Sequence, residues 1–505
     1  MRIGIHTDFP SVAVQSGPAI HTRFLFEGMS GRGHDVVLMG PQSDGAAPPS
    51  GASVHLFRGV PYPSHPKVRV AVPWPPQQLV NPPRLDVIHG QVSGHNIHYS
   101  TWMRKMWGTA VLNTHIIHLP THSHFLVSDG LYANPLVREV LRHNGEKMER
   151  SFARMYNEGD AFIVQSRHMV DYWRERGVTV PIEVVGRPIN PTVFSRSPGA
   201  DPFPKHFVHG KRLLVVCRHD REKNLDDLLD LFVEAIAPAD EEVTLTLVGG
   251  GFHHDNLRAR AEASGYGDRI HFPGEARHEA LVDWYAHADL FVYTSISETF
   301  GNVVNEALWT GLPVVAYDDG MGVAHQVVHG SNGLLVPHNR TDSHERFGSA
   351  VLDLLQNRER LADMAGNAAT HARRVSHPDA VLSRFERIYE AACRHCARAV
   401  PRPLSGAGHR EKARAFAAHM GQWAFWSGAL LAVSGTAFRL GASRSIEQDT
   451  SIVPEALPKV EDLEIPAELD GRTPAARRAL REELGTALRG ERVGPGNPDR
   501  AALHR

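Results

Sequence analysis

Two glutamates, Glu298 and Glu306, stand in the stretch "SISETFGNVVNEALWTGLPVVAY", on either side of Gly301. The preceding "DLFVYTS" reads as a buried strand, and "VVNEALWTG" as a helix ended by Gly311. The two carboxylates therefore straddle a strand-to-helix turn. In an open α/β sheet such turns are where ligands bind, and the first helix amides have no partner of their own. Arg218 and Lys223 occupy a second turn of this kind, in "RHDREKN" just after "LLVVC". A guanidinium and an ammonium there can converge on phosphate oxygens. The other reading is a solvated charged turn, since acids share it. Gly17 in "QSGPAI" and Gly249–Gly251 in "VGGG" are either close-approach loops for a ligand or ordinary turns. The run "THIIHLPTHSH" gathers His115, His118, His122 and His124, which invites a zinc reading. Against zinc, the chain has 32 histidines, so clusters arise easily, and a loop containing proline does not guarantee tetrahedral geometry.

These residues need elements to hold them. The 505 residues suit two domains or more, and 42% hydrophobic content supports substantial cores. A formal charge of −2 shows no global basic field, so nucleic acid is not expected as a partner. Three cysteines make a disulfide scaffold improbable, and "MRIGIHTDFP" lacks the apolar run of a secretory signal, so the expectation is cytoplasmic residence. The runs "MRIGIHT", "DVVLMG", "DVIHG", "TAVLNTH" and "AFIVQS" alternate with helical stretches, and after a proline-rich segment a second alternation runs from "RLLVVCR" to "GLLVP". The pattern predicts an α/β fold of two doubly wound Rossmann-like domains with parallel sheets. The expected domains are residues 1–205 and 206–398. Residues 399–505 follow as a linker, an apolar helix at 415–438 and a loose tail with a short helix from Thr473 and Pro474.

The ordered set "VVCRHDREKN", "ETFGNVVNEAL", "TGLPVVAYDDG" and "GSNGLLVP" resembles the C-terminal domain of retaining family 4 glycosyltransferases of the GT-B fold, the glycosyl transferases group 1. The first half adds "SGPAIHTRFLFEGMSGRGHDVVLMGP" and "LNTHIIH". The resemblance covers about residues 1 to 395. It implies a hexosyltransferase with a nucleotide-sugar donor such as a UDP-sugar or GDP-mannose. Arg218 and Lys223 would hold the diphosphate. Glu298 would hold the donor-sugar hydroxyls and Glu306 the ribose hydroxyls. Backbone amides of Phe300, Gly301 and Asn302 would meet the departing diphosphate, with Gly17 and Gly250 in the flanking loops. His115 would face the donor sugar from the first domain. Three positions depart from the family's usual wording: Asn305, Trp309, and Pro18 where a second glycine is usual. No Asp-x-Asp motif accompanies the site, so the expected chemistry needs no metal or other cofactor, and the resemblance implies same-face attack of the acceptor hydroxyl. Two other function classes stay open: a nucleotide-sugar epimerase of the same architecture and a non-catalytic sugar-nucleotide binding protein.

Two segments bear on the acceptor. "LVREVLRHNGEKMERSFARMYN" sets Arg138, Arg142, Lys147, Arg150 and Arg154 beside Leu141, Met148, Phe152 and Met155, either a basic amphipathic surface for anionic membranes or an ordinary solvated face. It is similar to the corresponding helix of lipid-glycosylating members such as diacylglycerol glycosyltransferases, which implies an acceptor lipid or glycan and peripheral contact with the inner face of the cell membrane. "AFAAHMGQWAFWSGALLAVSGTAF", Ala415 to Phe438, contains no Asp, Glu, Lys or Arg and reads as a helix lying on the membrane or packed on the core. "CRHC" reads as incidental, and Cys217 as a core residue.

Overall fold

Short apolar runs rich in β-branched residues build the strands, and the central ones of each sheet are buried on both faces, as a parallel sheet under helices requires. The computed structural model describes residues 1–8, 17–42, 52–62, 65–72, 82–91, 97–115, 134–207, 209–251, 253–296 and 298–439. Side chains within 17–18, 60–72 and 426–439 lie outside that description. So do His118, His122, His124, the tail from Ser451 and the helix expected at Thr473.

The first sheet has eight strands: β1 (Arg2–Thr7), β2 (Asp35–Pro41), β3 (Ser53–Tyr62), β4 (His65–Val72), β5 (Val87–Gln91), β6 (Ala110–Thr114), β7 (Ala161–Val164) and β8 (Ile182–Val184). Their order is β4-β3-β2-β1-β5-β6-β7-β8, parallel except for the β3–β4 pair. The second sheet has six: β9 (Lys211–Val216), β10 (Val243–Val248), β11 (Ile270–Gly274), β12 (Leu290–Tyr293), β13 (Val314–Asp318) and β14 (Gly333–Pro337). Its order is β11-β10-β9-β12-β13-β14, parallel throughout. Strand order reverses between β1 and β5 in the first sheet and between β9 and β12 in the second. In doubly wound folds such switch points open the crevice in which ligands bind.

Chain order and packing part company at the helix Pro378–Ala399. It follows the second alternation, yet Val381, Leu382, Phe385, Ile388, Tyr389 and Ala392 share a core with Ile3, Ile5, Leu25 and Met29 of the first sheet and its first helix. Polar bonds fix it there: Arg32 donates to Asp379 Oδ1 (2.6 Å), Glu386 Oε2 (2.8 Å) and Ser383 Oγ (3.0 Å). Gly28 permits the approach, since a Cβ there would stand 2.7 Å from both Leu382 methyls. Cys393 and Cys396 lie on this helix and face the backbone carbonyls of Asp86 and Gly108. Burial pushes both thiols up to about 12, which makes them inert.

The helix His409–Arg439 contains the apolar stretch expected at 415–438. Its first half is core-packed: Phe416 and His419 lie against Trp102 of the helix Ile97–Trp107, with ring centroids 5.5 and 5.1 Å apart. Among the described residues no helix is long and apolar enough to cross a membrane.

Candidate functional site

The carboxyl ends of β9 and β12, the two strands at the second switch point, carry Arg218, Lys223 and Glu298. After β9 the chain turns through a short 3-10 segment, Arg221–Lys223, and passes Asn224 at φ 56°, the non-glycine residue with positive φ among the described residues. The loop after β10 closes over this turn. His219 N–H donates to the Gly250 carbonyl (2.6 Å), and a Cβ on Gly249 would lie 1.9 Å from the Cys217 oxygen, so only glycine fits. The imidazoles of His219 and His254 stack at 5.0 Å with Nδ1 atoms 2.8 Å apart, so one ring donates and the other accepts.

Lys223 Nζ donates to Glu298 Oε1 at 2.7 Å, which joins two residues 75 positions apart in the chain. Tyr293 Oη (2.6 Å) and Ser295 Oγ (3.1 Å) donate to the same oxygen. Oε2 of Glu298 receives no hydrogen bond from the described residues. Burial alone would push the Glu298 carboxyl up, but the Lys223 ammonium and the two hydroxyl donors outweigh it and hold the group below the usual carboxylate range. Lys223 is held above the usual lysine range because Glu298 and Glu222 together outweigh its burial. The pair is therefore ionised across neutral pH. Arg218 is the more exposed cation, and its guanidinium rests on Asp220 (2.6 Å) and Glu222 (3.0 Å). The acids of this turn thus pair with Arg218 instead of standing in solvent.

From Glu298 the chain enters the helix Asn302–Trp309 through Gly301 at φ 81°, a left-handed conformation that suits glycine. Gly322 packs beneath the turn. Its N–H donates to the Glu298 carbonyl (2.9 Å), and a Cβ there would stand 2.5 Å from Phe300 N and Cα. Gln326 Nε2 donates to the carbonyls of Phe300 and Gly301. Glu306 lies one helix length away. It is 7% exposed, its Oε2 accepts from Tyr285 Oη (2.9 Å), and burial pushes its carboxyl up. The two glutamates therefore differ in surroundings as well as in place. One is locked as an ion pair, while the other is a buried acceptor against a phenol.

The remaining expected residues sit at the other sheet. His115 follows β6 directly, and its buried ring packs edge-on against Trp173 at 4.9 Å. Gly17 opens the helix Gly17–Gly31 after β1, and the loop before it lies outside the described residues. The departures Asn305 and Trp309 now have a physical role. Asn305 Nδ2 donates to the Arg187 carbonyl (3.3 Å), Ser376 Oγ donates to Asn305 Oδ1 (2.7 Å), and Trp309 Nε1 donates to Ser195 Oγ (3.1 Å). They tie the helix of Glu306 to both stretches of chain that run between the sheets.

Sequence reasoning passed over Asp319. Its carboxylate accepts from the N–H groups of Met321 (2.9 Å), Val323 (3.1 Å) and Ala324 (2.9 Å). Burial pushes it up to about 6, with nearby Glu298 adding to the rise. The doubled acid in "YDDG" was the available signal. Tyr293 and Ser295 were likewise visible only as strand residues.

Residues 201–371 match the family described as glycosyl transferases group 1, and residues 16–188 match the glycosyl transferase 4-like domain. The chain carries a glycosyl transferases group 1 domain. It is 34% identical over 151 residues to the UDP-N-acetylglucosamine–peptide N-acetylglucosaminyltransferase GtfA subunit of Streptococcus gordonii, a match covering 30% of this chain and 29% of that one. The chain thus spans under a third of that relative's length. A D-inositol 3-phosphate glycosyltransferase of Thermobispora bispora is 27% identical over 345 residues, 64% of this chain and 75% of that protein. Among solved structures, sucrose-phosphate synthase from Thermosynechococcus elongatus superposes with a TM-score of 0.58 at 19% identity, over 77% of this chain and 98% of that one. That likeness shows the GT-B fold, with two Rossmann-like domains.

Proposed function

We propose that the chain is a retaining glycosyltransferase that moves a sugar from a nucleoside-diphosphate donor to a hydroxyl of a lipid-linked or glycan acceptor, without a metal. The observation that carries the reading is the Lys223–Glu298 pair at 2.7 Å, with Arg218 beside it, at the switch point between β9 and β12. Breaking the bond to the anomeric carbon builds negative charge on the departing diphosphate, and fixed cations in a dry site stabilise it best. Lys223 and Arg218 supply those charges, and the helix entered at Gly301 adds its positive end. The Oε2 of Glu298 accepts from donor-sugar hydroxyls while Oε1 stays on Lys223. Glu306 accepts from the ribose, and His115 faces the sugar from the first domain. The acceptor hydroxyl attacks beside the leaving phosphate, which takes its proton, so neither glutamate acts as a covalent nucleophile.

The acceptor side rests on the helix Pro135–Tyr156, where Leu136 and Val140 are 72% and 51% exposed beside Arg138 and Lys147. Exposed apolar residues among cations suit the surface of an anionic bilayer. Co-sedimentation with anionic vesicles tests that part separately. The activity itself is tested by offering a panel of nucleotide sugars, with a lipid and glycan extract, to the wild-type protein in a chelator. Nucleoside diphosphate release and a glycosylated product are expected. Activity that appears only on adding magnesium or manganese would overturn the metal-free reading.

A further inference from the structure

Arg187 lies past β8, in the chain that joins the two sheets, and its surroundings are those of an anion receptor. Its backbone is fastened to the turn of Glu298: the carbonyl accepts from Asn305 Nδ2, which Ser376 in turn holds. The neighbouring Gly186 faces the Phe300 ring, and a Cβ there would stand 3.0 Å from Cε2. The guanidinium is treated differently. Its Nε is shut off from solvent and donates to no described group, and among the described residues the side chain forms no ion pair. Its electrostatic neighbours are Glu298 and His21, the latter from the helix Gly17–Gly31. Glu298 already serves Lys223, Tyr293 and Ser295, so it offers Arg187 only partial compensation. Burial accordingly draws the guanidinium down to about 10. The same enclosure, with Arg187 itself, keeps the His21 imidazole neutral.

A partly buried cation with no anion of its own is costly, and the chain keeps one in place through a buried asparagine that departs from its family's wording. An incoming anion would offset that cost. We propose that Arg187 is a third cation of the donor site, binding a phosphoryl oxygen of the nucleoside diphosphate together with Arg218 and Lys223. The inference rests on the donor reading above and adds to it a residue from outside the second sheet. A guanidinium suits the task because its planar fork pairs with two phosphate oxygens at once.

The test uses the full-length protein and calorimetric binding of UDP, GDP, ADP and dTDP, with the four nucleosides as charge-free controls. Arg187→Gln is expected to weaken the diphosphate that binds by about 10- to 100-fold, the range for a hydrogen bond to a charged group, and to leave its nucleoside unchanged. Arg187→Lys should recover part of the loss. Without nucleotide the Arg187→Gln melting temperature should hold or rise, because an undercompensated charge has been removed. If Arg187→Gln binds diphosphate like wild type while Lys223→Ala does not, the inference fails and the donor reading stands. A lower melting temperature with equal losses for diphosphate and nucleoside would make Arg187 structural only. If no nucleoside diphosphate binds the wild type, both readings fall together. Should Arg187→Gln fail to fold, Arg187→Lys decides, since diphosphate affinity equal to wild type would overturn the proposal.

Discussion

The carboxyl ends of the two sheets solve opposite electrostatic problems. At the second sheet Arg218, Lys223, Glu222 and Glu298 form a charged cluster on two adjacent strand ends. At the first, a network of neutral groups is buried. His89 bridges Thr114 Oγ1 (2.6 Å) and Tyr389 Oη (2.8 Å), and Thr22 links Thr7 (3.1 Å) to Gln91 (2.9 Å). Burial draws His89 down to about 3, so it carries no charge at neutral pH. The contrast matches what each side has to do in the proposed reaction. A departing diphosphate needs fixed charges, whereas a hydroxyl acceptor needs hydrogen bonds without a competing field.

The largest effect should come from breaking the charged side. Lys223→Ala and Glu298→Ala each remove one half of the ion pair, and each is expected to lower kcat by about 100-fold or more, the size seen when one preorganised donor is lost. Glu306→Gln keeps the contact with Tyr285 and should act mainly on KM, through the ribose. Rates near wild type for Lys223→Ala would mean the cluster is structural, and the contrast between the two ends would lose its functional meaning.

Next in size is the backbone that shapes the charged end. Gly322→Ala sets a Cβ 2.5 Å from the Phe300 backbone, so the turn bearing Glu298 must shift. We expect a loss of about 1–3 kcal/mol in stability, as for other overpacked sites, with a fall in activity alongside. Urea unfolding followed beside turnover would check both, and an unperturbed midpoint would show that the turn is looser than described. Asn305→Ala leaves the Arg187 carbonyl and Ser376 hydroxyl without their partner and should cost about 1–3 kcal/mol. Asn305→Asp supplies the same acceptor but no donor, so it separates the two bonds.

The smallest effect is the pH response of the neutral histidines. His89 is drawn to about 3 by burial, and His219 to about 4 by burial followed by His254 and His253. The unfolded chain has its histidines near 6.5, so as pH falls the unfolded state binds protons first. Stability should therefore decline progressively from about pH 6.5 down to pH 4. Asp319, raised to about 6, works in the other sense: its contribution is complete below about 4 and is lost as pH rises through 6. The histidines include His325 at about 4 and His419 at about 3, so the acid-side loss should prevail. Urea midpoints at pH 8, 6.5 and 5 give the sign directly. A midpoint that rises on acidification would mean these imidazoles take up protons in the fold.

Much of this was legible in the sequence, for physical reasons. A parallel sheet buried on both faces writes its strands as apolar runs, so both alternations stood out, and Gly301 and Gly311 marked the ends of the helix between them. The helix Pro378–Ala399 carries an apolar stripe, but such a stripe does not say which sheet it covers. The individual site residues were readable through the resemblance, whereas their coupling was not. Lys223 and Glu298 are far apart in the chain, and only the β9–β12 adjacency brings them to one oxygen. Asn305 and Trp309 stood out as departures, but their role appears only with Arg187, Ser195 and Ser376 in place. Arg187 carried no motif at all, since what singles it out is a missing partner.

The central claim is that the charged end neutralises a departing diphosphate. Its most direct measurement is the rate of nucleoside diphosphate release from a nucleotide-sugar panel in a chelator, wild type against Lys223→Ala. The account predicts release by the wild type with at least one donor and about 100-fold slower release by the variant. Equal rates for the two proteins, or no release from any donor, would contradict it.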